Sequence, residues 1–208
     1  VAVAFTGWPV EAIEFYEGLR ADNSKTYWTA HRSTYDECVL RPMQEMLLEL
    51  EPEFGQGKVF RPYRDVRFSA DKSPYKTAIG ALLTGGGYVQ LSADGLASGC
   101  GRWHLEPEAL TRFRDAVAAD RSGGRLEQIV GELRATGVDV TSRDALKTVP
   151  RGYPKDHPRA ELLRCKGLAS WKEWPVAAWL GTAKAKDRVV EFLRSSAALN
   201  DWLAANVD

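Results

Sequence analysis

The stretch TAIGALLTGGGYVQLSADGLASGCGRW, Thr77 to Trp103, decides how this chain folds. Its opening, TAIGALLT, is a short apolar run stopped by glycines, which reads as a strand. Gly85 to Gly87 suit a hairpin turn, because glycine accepts the positive φ that tight turns need. YVQLSAD and LASGCGRW then read as two further strands. On the N-terminal side, KVFRPYRDVRF alternates with period two. That places Phe60, Val66 and Phe68 on one face and Arg61, Tyr63, Asp65 and Arg67 on the other. The four segments predict an antiparallel β-meander of about four strands over residues 58–103.

Helical patterns lie on both sides of it. PVEAIEFYEGLR puts Ala12, Ile13, Tyr16 and Leu19 on one face, with Pro9 suited to a first turn. Asn23 or Ser24 can cap a second helix, along which Trp28, His31, Tyr35 and Val39 form a stripe. Pro42 should kink that helix or start a new one. These N-terminal helices span 9–52. Residues 106–207 read as mostly helical, with apolar faces at Leu110, Phe113 and Val117 and at Leu126, Ile129, Val130 and Leu133. AELLRCKG reads as a short helix and ASWKEWPVAAWL as a further strand. Two separate amphipathic segments close the chain. The pattern predicts an α+β fold in a single domain, 1–208, with the helices packed on the meander.

The chain has 208 residues, and its 28 Lys and Arg balance 28 Asp and Glu. No global field therefore draws it to nucleic acid or anionic lipid. Cys38, Cys100 and Cys165 are too scattered for a disulfide framework, and free thiols suit a reducing compartment. The start VAVAFTGWPV lacks the basic opening of a signal peptide, and no apolar run approaches a membrane span, so a cytoplasmic location is expected. There is no P-loop, no GxGxxG after a strand, no HExxH and no GxSxG. His31, His104 and His157 have no metal-ligand spacing, so no metal site is expected. His31 reads better as a packed histidine, and His157 as a turn residue, than as catalytic bases. Cys100, between glycines, reads as buried and inert.

The charge gathers locally. From Lys58 to Lys76 six basic residues face two acidic ones, a net charge of +4. On a strand, Arg61 and Arg67 would flank Asp65 on one face and hold it ionised. Arg64 would fall on the apolar face and need a carboxylate, for which Asp71 is a candidate. Pro74 stiffens the loop and Tyr75 offers a phenol. Arginine forks match phosphate and carboxylate, so an anion site is one reading. A structural ion-pair network is the other, and composition alone favours it.

FTGWP, NSKTYWTAHRSTY, YRDVRFSADKSPYKT, GGYVQLS, GCGRW, PRGYPKDHP and LLRCKG occur in the order found in the bacterial family catalogued as domain of unknown function 2461. The resemblance covers nearly the whole chain, and RDVRFSADKSPYK is its most specific part. It implies that this segment is the family's signature, which points to Arg64, Asp65, Arg67, Phe68, Ser69, Asp71, Lys72, Pro74, Tyr75 and Lys76. It also points to Asn23, Lys25, Trp28, His31 and Tyr35, and to Arg151, Gly152, Tyr153, His157 and Pro158. The chain departs from the pattern at Cys100 and Arg102. The resemblance brings no activity, cofactor or substrate with it. A signature so rich in charge turns the balance toward a site.

Three functions remain open. The first is binding of a small anionic or phosphorylated ligand, with or without catalysis. Arg64, Arg67, Ser69, Lys72, Lys76 and Arg151 would bind it, and Asp65, Asp71, Tyr75 and His31 are the candidate catalytic residues. A Mg²⁺ ion could then be held between the two aspartates and a substrate phosphate. The second is a non-enzymatic protein-interaction module whose signature is a structural ion-pair network and whose exposed tryptophans meet the partner. The third, disfavoured by the zero net charge, is nucleic-acid binding with Tyr63 and Tyr75 stacking. Whether the protein is an enzyme, which cofactor it uses and its oligomeric state are not legible in the sequence.

Overall fold

The computed structural model describes residues 4–67 and 69–208. Phe68, assigned above to a strand face and to the signature, lies outside the described residues. The chain forms two compact units. One runs to Ser98 and includes Glu173–Glu191, and the other comprises Gly99–Lys172 and Phe192–Asp208.

In the first unit, α1 (Val10–Ala21) begins after Pro9 and buries Ala12, Ile13, Phe15, Tyr16 and Leu19. The Ser24 side chain accepts from the Tyr27 N–H and caps α2 (Lys25–Ala30). A single turn, α3 (Arg32–Thr34), leads into a π-helical stretch, Tyr35–Leu40, and then α4 (Arg41–Phe54). The expected effect of Pro42 is visible here. Proline has no N–H and its ring crowds the carbonyl four residues back. The backbone widens just before it, so that the Arg41 N–H donates to the Asp36 carbonyl, five residues back. A π-turn relieves the clash without ending the helix. Trp28, Tyr35, Val39, Met43, Met46 and Leu50 all point into the core.

Among the described residues the sheet has six strands in the order β1-β2-β3-β4-β6-β5, two more than the expected meander of about four. β1 (Gly57–Val59) pairs with β2 (Ala78–Leu83), and β2 with β3 (Gly87–Ser92), both antiparallel. The β2–β3 turn has Gly86 at φ 92°, as the glycine run requires. Ile79, Ala81, Leu83, Val89 and Leu91 are buried, so one face of this hairpin meets the core. β4 (Gly95–Arg102) follows.

The second unit contains α5 (Pro107–Ala118), α6 (Asp120–Ala135), β5 (Asp139–Thr141) and α7 (Ala160–Leu163). β6 (Leu168–Pro175) confirms the strand read in ASWKEWP, whereas Ala178–Gly181 is a 3₁₀ turn. β5 pairs with β6, and its three residues were too few to register as a pattern. The two expected C-terminal segments are one continuous helix, α8 (Lys184–Asn206). Nothing in SSAALN breaks a helix, and Ser196 and Leu199 within it are buried on the same helix. Cys100 is buried and its thiol is pushed up to about 11 by desolvation, in keeping with an inert role. Among the described residues no helix is long and apolar enough to cross a membrane.

Candidate functional site

The segment expected to be one long strand leaves the sheet almost at once. β1 ends at Val59, and the ladder is extended only by the Phe60 N–H donating to the Gly80 carbonyl. Pro62 has no N–H to offer a neighbouring strand. The two aspartates then compete with the ladder for backbone donors. Asp65 accepts from the Arg67 backbone N–H at 3.2 Å and from its guanidinium at 3.0 and 2.7 Å. Asp71 accepts from the Ser73 N–H at 2.9 Å and its hydroxyl at 2.6 Å. Arg61, Asp65 and Arg67 therefore do not share a strand face. The pairing expected of Arg64 and Asp71 does form, as a salt bridge on a half-exposed pair. Lys72 donates to the Val66 carbonyl at 3.0 Å. The charged loop largely closes on itself.

Its second half is tied back to the core. Tyr63 and Tyr75 form an isolated antiparallel bridge, and the Arg64 N–H donates to the Pro74 carbonyl at 2.9 Å. Asn23 clamps Tyr75 by accepting from its N–H at 3.1 Å and donating to its carbonyl at 3.0 Å. The Tyr75 ring is buried and stacks on Trp28 with centroids 4.4 Å apart and planes 9° apart. Burial pushes its phenol above the ordinary value. Tyr75 is thus a structural anchor in this arrangement. The His31 ring stacks on Tyr27 at 4.0 Å, and its Nδ1 lies 2.9 Å from the Tyr27 carbonyl, so the packed reading of this histidine fits. His157 accepts from the Arg159 N–H at 3.0 Å, as a turn residue does.

The two carboxyls sit where they make poor bases. Hydrogen bonds from the Arg64 guanidinium and then Ser73 hold Asp71 well below the usual carboxylate range. Arg67 lowers Asp65 in the same way, with a small contribution from Arg61. The folded-state pKa of Asp71 lies below its unfolded value of about 3.9, so its stabilising contribution is present above about pH 4 and lost as pH falls through the folded value. A carboxyl-carbon NMR titration should place the Asp71 midpoint below that of an ordinary aspartate, and Arg64→Gln should raise it. A midpoint at or above the ordinary value in the wild type would show that the pair does not form in solution.

Beside the loop lies a cleft of about 450 Å³ on the outer face of the β2–β3 hairpin. Phe60, Arg64, Tyr75, Lys76 and Thr77 reach it from the segment between β1 and β2, and Ala78, Gly80, Tyr88 and Gln90 come from the sheet. Gly80 pairs with Gln90 in register, and a Cβ on it would lie 2.3 Å from the Tyr88 hydroxyl. The missing side chain leaves room for that phenol, which donates to Gln90 Oε1 at 3.0 Å. Lys76 is half-buried, with its ammonium 5.4 Å from the Phe60 ring centre. Desolvation, and secondarily the charge of Arg61, lowers its pKa. Among the described residues no carboxylate lines the cleft.

Of the expected ligand-binding residues, Arg64 and Lys76 line this cleft. Arg67 and Lys72 are exposed and turned to partners in the loop, Ser69 is half-buried, and Arg151 is an exposed turn residue of the second unit. Each aspartate is committed to its own arginine, and among the described residues no group of three or more His, Cys, Asp or Glu is placed to hold a metal ion. The sequence reading missed Phe60, Tyr88 and Gln90 as cleft walls. Gly80 inside a strand was the available signal, since a glycine there marks a close approach. It also missed Arg159 of the second unit, which is 7% exposed. Its guanidinium donates to the Val117 and Ala118 carbonyls and pairs with Asp120 and Glu127.

A family model described as Conserved hypothetical protein (DUF2461) matches residues 11–202. No curated protein and no solved structure matches the chain.

Proposed function

Since this chain belongs to the DUF2461 family, we propose that its signature is a structural ion-pair scaffold and that the protein is a non-enzymatic interaction module recognising an anionic partner. The observation that carries this reading is the division of the charge. Asp65 and Asp71 each neutralise an arginine of the loop, while Lys76 faces a cleft that no carboxylate lines among the described residues. A cation kept partly desolvated and without an acid is poised to accept one from outside. The scaffold holds Lys76 in place through the Asn23 clamp and the Trp28–Tyr75 stack on the preceding residue.

Poly-L-glutamate at low ionic strength should raise the thermal midpoint of the wild type. A ligand at 100 times its dissociation constant adds about 2.7 kcal/mol. The shift should shrink in Lys76→Gln and fade with added salt. If neither poly-L-glutamate nor polyphosphate moves the midpoint, the reading fails. The volume of the cleft supports a second reading, a small carboxylate or phosphate ligand, because such sites span roughly 300–1,000 Å³.

A further inference from the structure

Resting on that reading, we propose that the hairpin cleft takes an acidic peptide segment of a partner protein, with an aromatic side chain placed beside its carboxylates. Charge complementarity names the acid. Lys58, Arg61 and Lys76 make no salt bridge among the described residues, and Arg61 lies close enough to Lys76 to press on its charge. Like charges held together without an acid are costly alone and are relieved by a carboxylate partner. Register places Lys58 opposite Leu82 and Leu82 opposite Tyr88, so this cationic rim and the outer face of the hairpin are continuous.

The apolar part of the same face specifies the ring. Phe60 is 36% exposed and Leu82 45% exposed, the Phe60 and Tyr88 rings lie 6.3 Å apart with the Tyr88 phenol over Gly80, and Ala78 lines the cleft beside them. The small Ala78 side chain leaves the faces of these two rings open, and exposed aromatic faces favour a flat apolar group. Gln90 gives its oxygen to Tyr88, and its NH₂ group remains a donor for a carboxylate or a peptide carbonyl. A cleft of about 450 Å³ accommodates one aromatic side chain with an adjoining acid. A nucleic acid would draw on a wide positive field, and this chain has a net charge of zero.

The test is a series of ¹⁵N–¹H NMR titrations of the full chain with capped pentapeptides: Glu-Glu-Phe-Glu-Glu, Glu-Glu-Ala-Glu-Glu and Lys-Lys-Phe-Lys-Lys. Inorganic phosphate and oligothymidylate serve as further probes. The first peptide should shift the amides of Lys76, Gly80 and Tyr88 and saturate. Replacing its Phe by Ala should weaken binding by about tenfold, the scale of one buried ring, and the basic peptide should not bind. Lys76→Gln should weaken the acidic aromatic peptide by about tenfold, the scale of a charge-assisted hydrogen bond. Ala78→Leu, which fills the cleft beside the rings, should abolish its binding while the remaining spectrum is preserved. Equal binding of the Phe and Ala peptides, or tighter binding of phosphate or oligothymidylate at the same amides, overturns this inference and leaves the anion reading standing. If no anionic probe shifts the cleft amides, both fall.

Discussion

Arg159→Met is expected to destabilise the protein by about 3–5 kcal/mol, the range for breaking a buried charge network by removing one partner. Methionine keeps the volume and the apolar stem, so the loss isolates the guanidinium. Val117 and Ala118 are in the last turn of α5, where carbonyls have no partner within the helix. Arg159 Nε donates to the first at 2.6 Å and its Nη2 to the second at 3.0 Å. Both bonds are charge-assisted, and without them the carbonyls stay desolvated and unpaired. Asp120 is fully exposed and Glu127 nearly half exposed, so the ion pairs themselves add little. Lysine brings one donor centre instead of a planar fork, so Arg159→Lys should recover only part of the loss. Gly123→Ala probes the same spot from the other side, since a Cβ there would lie 2.0 Å from the Val117 carbonyl oxygen and 2.5 Å from Arg159 Nε. Urea unfolding of the three variants measures these effects. A loss below about 1 kcal/mol for Arg159→Met would mean that water replaces the guanidinium at little cost.

Trp28→Ala should cost a similar amount, about 3–5 kcal/mol, as large-to-small changes of buried aromatics do. Trp28 is 4% exposed and touches Phe15, Tyr35, Tyr63 and Tyr75. Its particular consequence is local. The Tyr75 ring loses its stacking partner, so the Asn23 clamp on Tyr75 is left to hold the second half of the loop against the N-terminal helices. Amide exchange in that loop should speed up more than in α6, and binding of anions at Lys76 should weaken in proportion. If exchange in the loop is unchanged while global stability falls, the stack is ordinary core packing and does not position the cleft.

Family membership, the α+β class and most element positions were legible in the chain. Ser24 as a cap, Pro42 as a perturbation, the glycine run as a hairpin turn and Arg64 with Asp71 as a pair all depend on neighbours close in sequence. Local steric and hydrogen-bonding preferences settle such features. Residues 60–67 were misread as a continuation of the strand because alternation reports only which faces residues could occupy. It does not report whether aspartate side chains will take the backbone donors that a strand needs. Arg159 escaped notice because its acceptors, Val117 and Ala118, stand some forty residues earlier in the chain.

By itself, then, the sequence determined that charge would gather around residues 58–76 and that its acids were too few to balance it. Only the tertiary structure decided which charges were left over. Asp65 and Asp71 went to the arginines their own turns brought nearest, and Asn23 and Trp28, far away in sequence, fixed Tyr75 and so set Lys76 over Phe60 at the edge of the hairpin. Composition counts charges, but Coulomb energy and desolvation depend on distance and burial, and the folded chain alone supplies those.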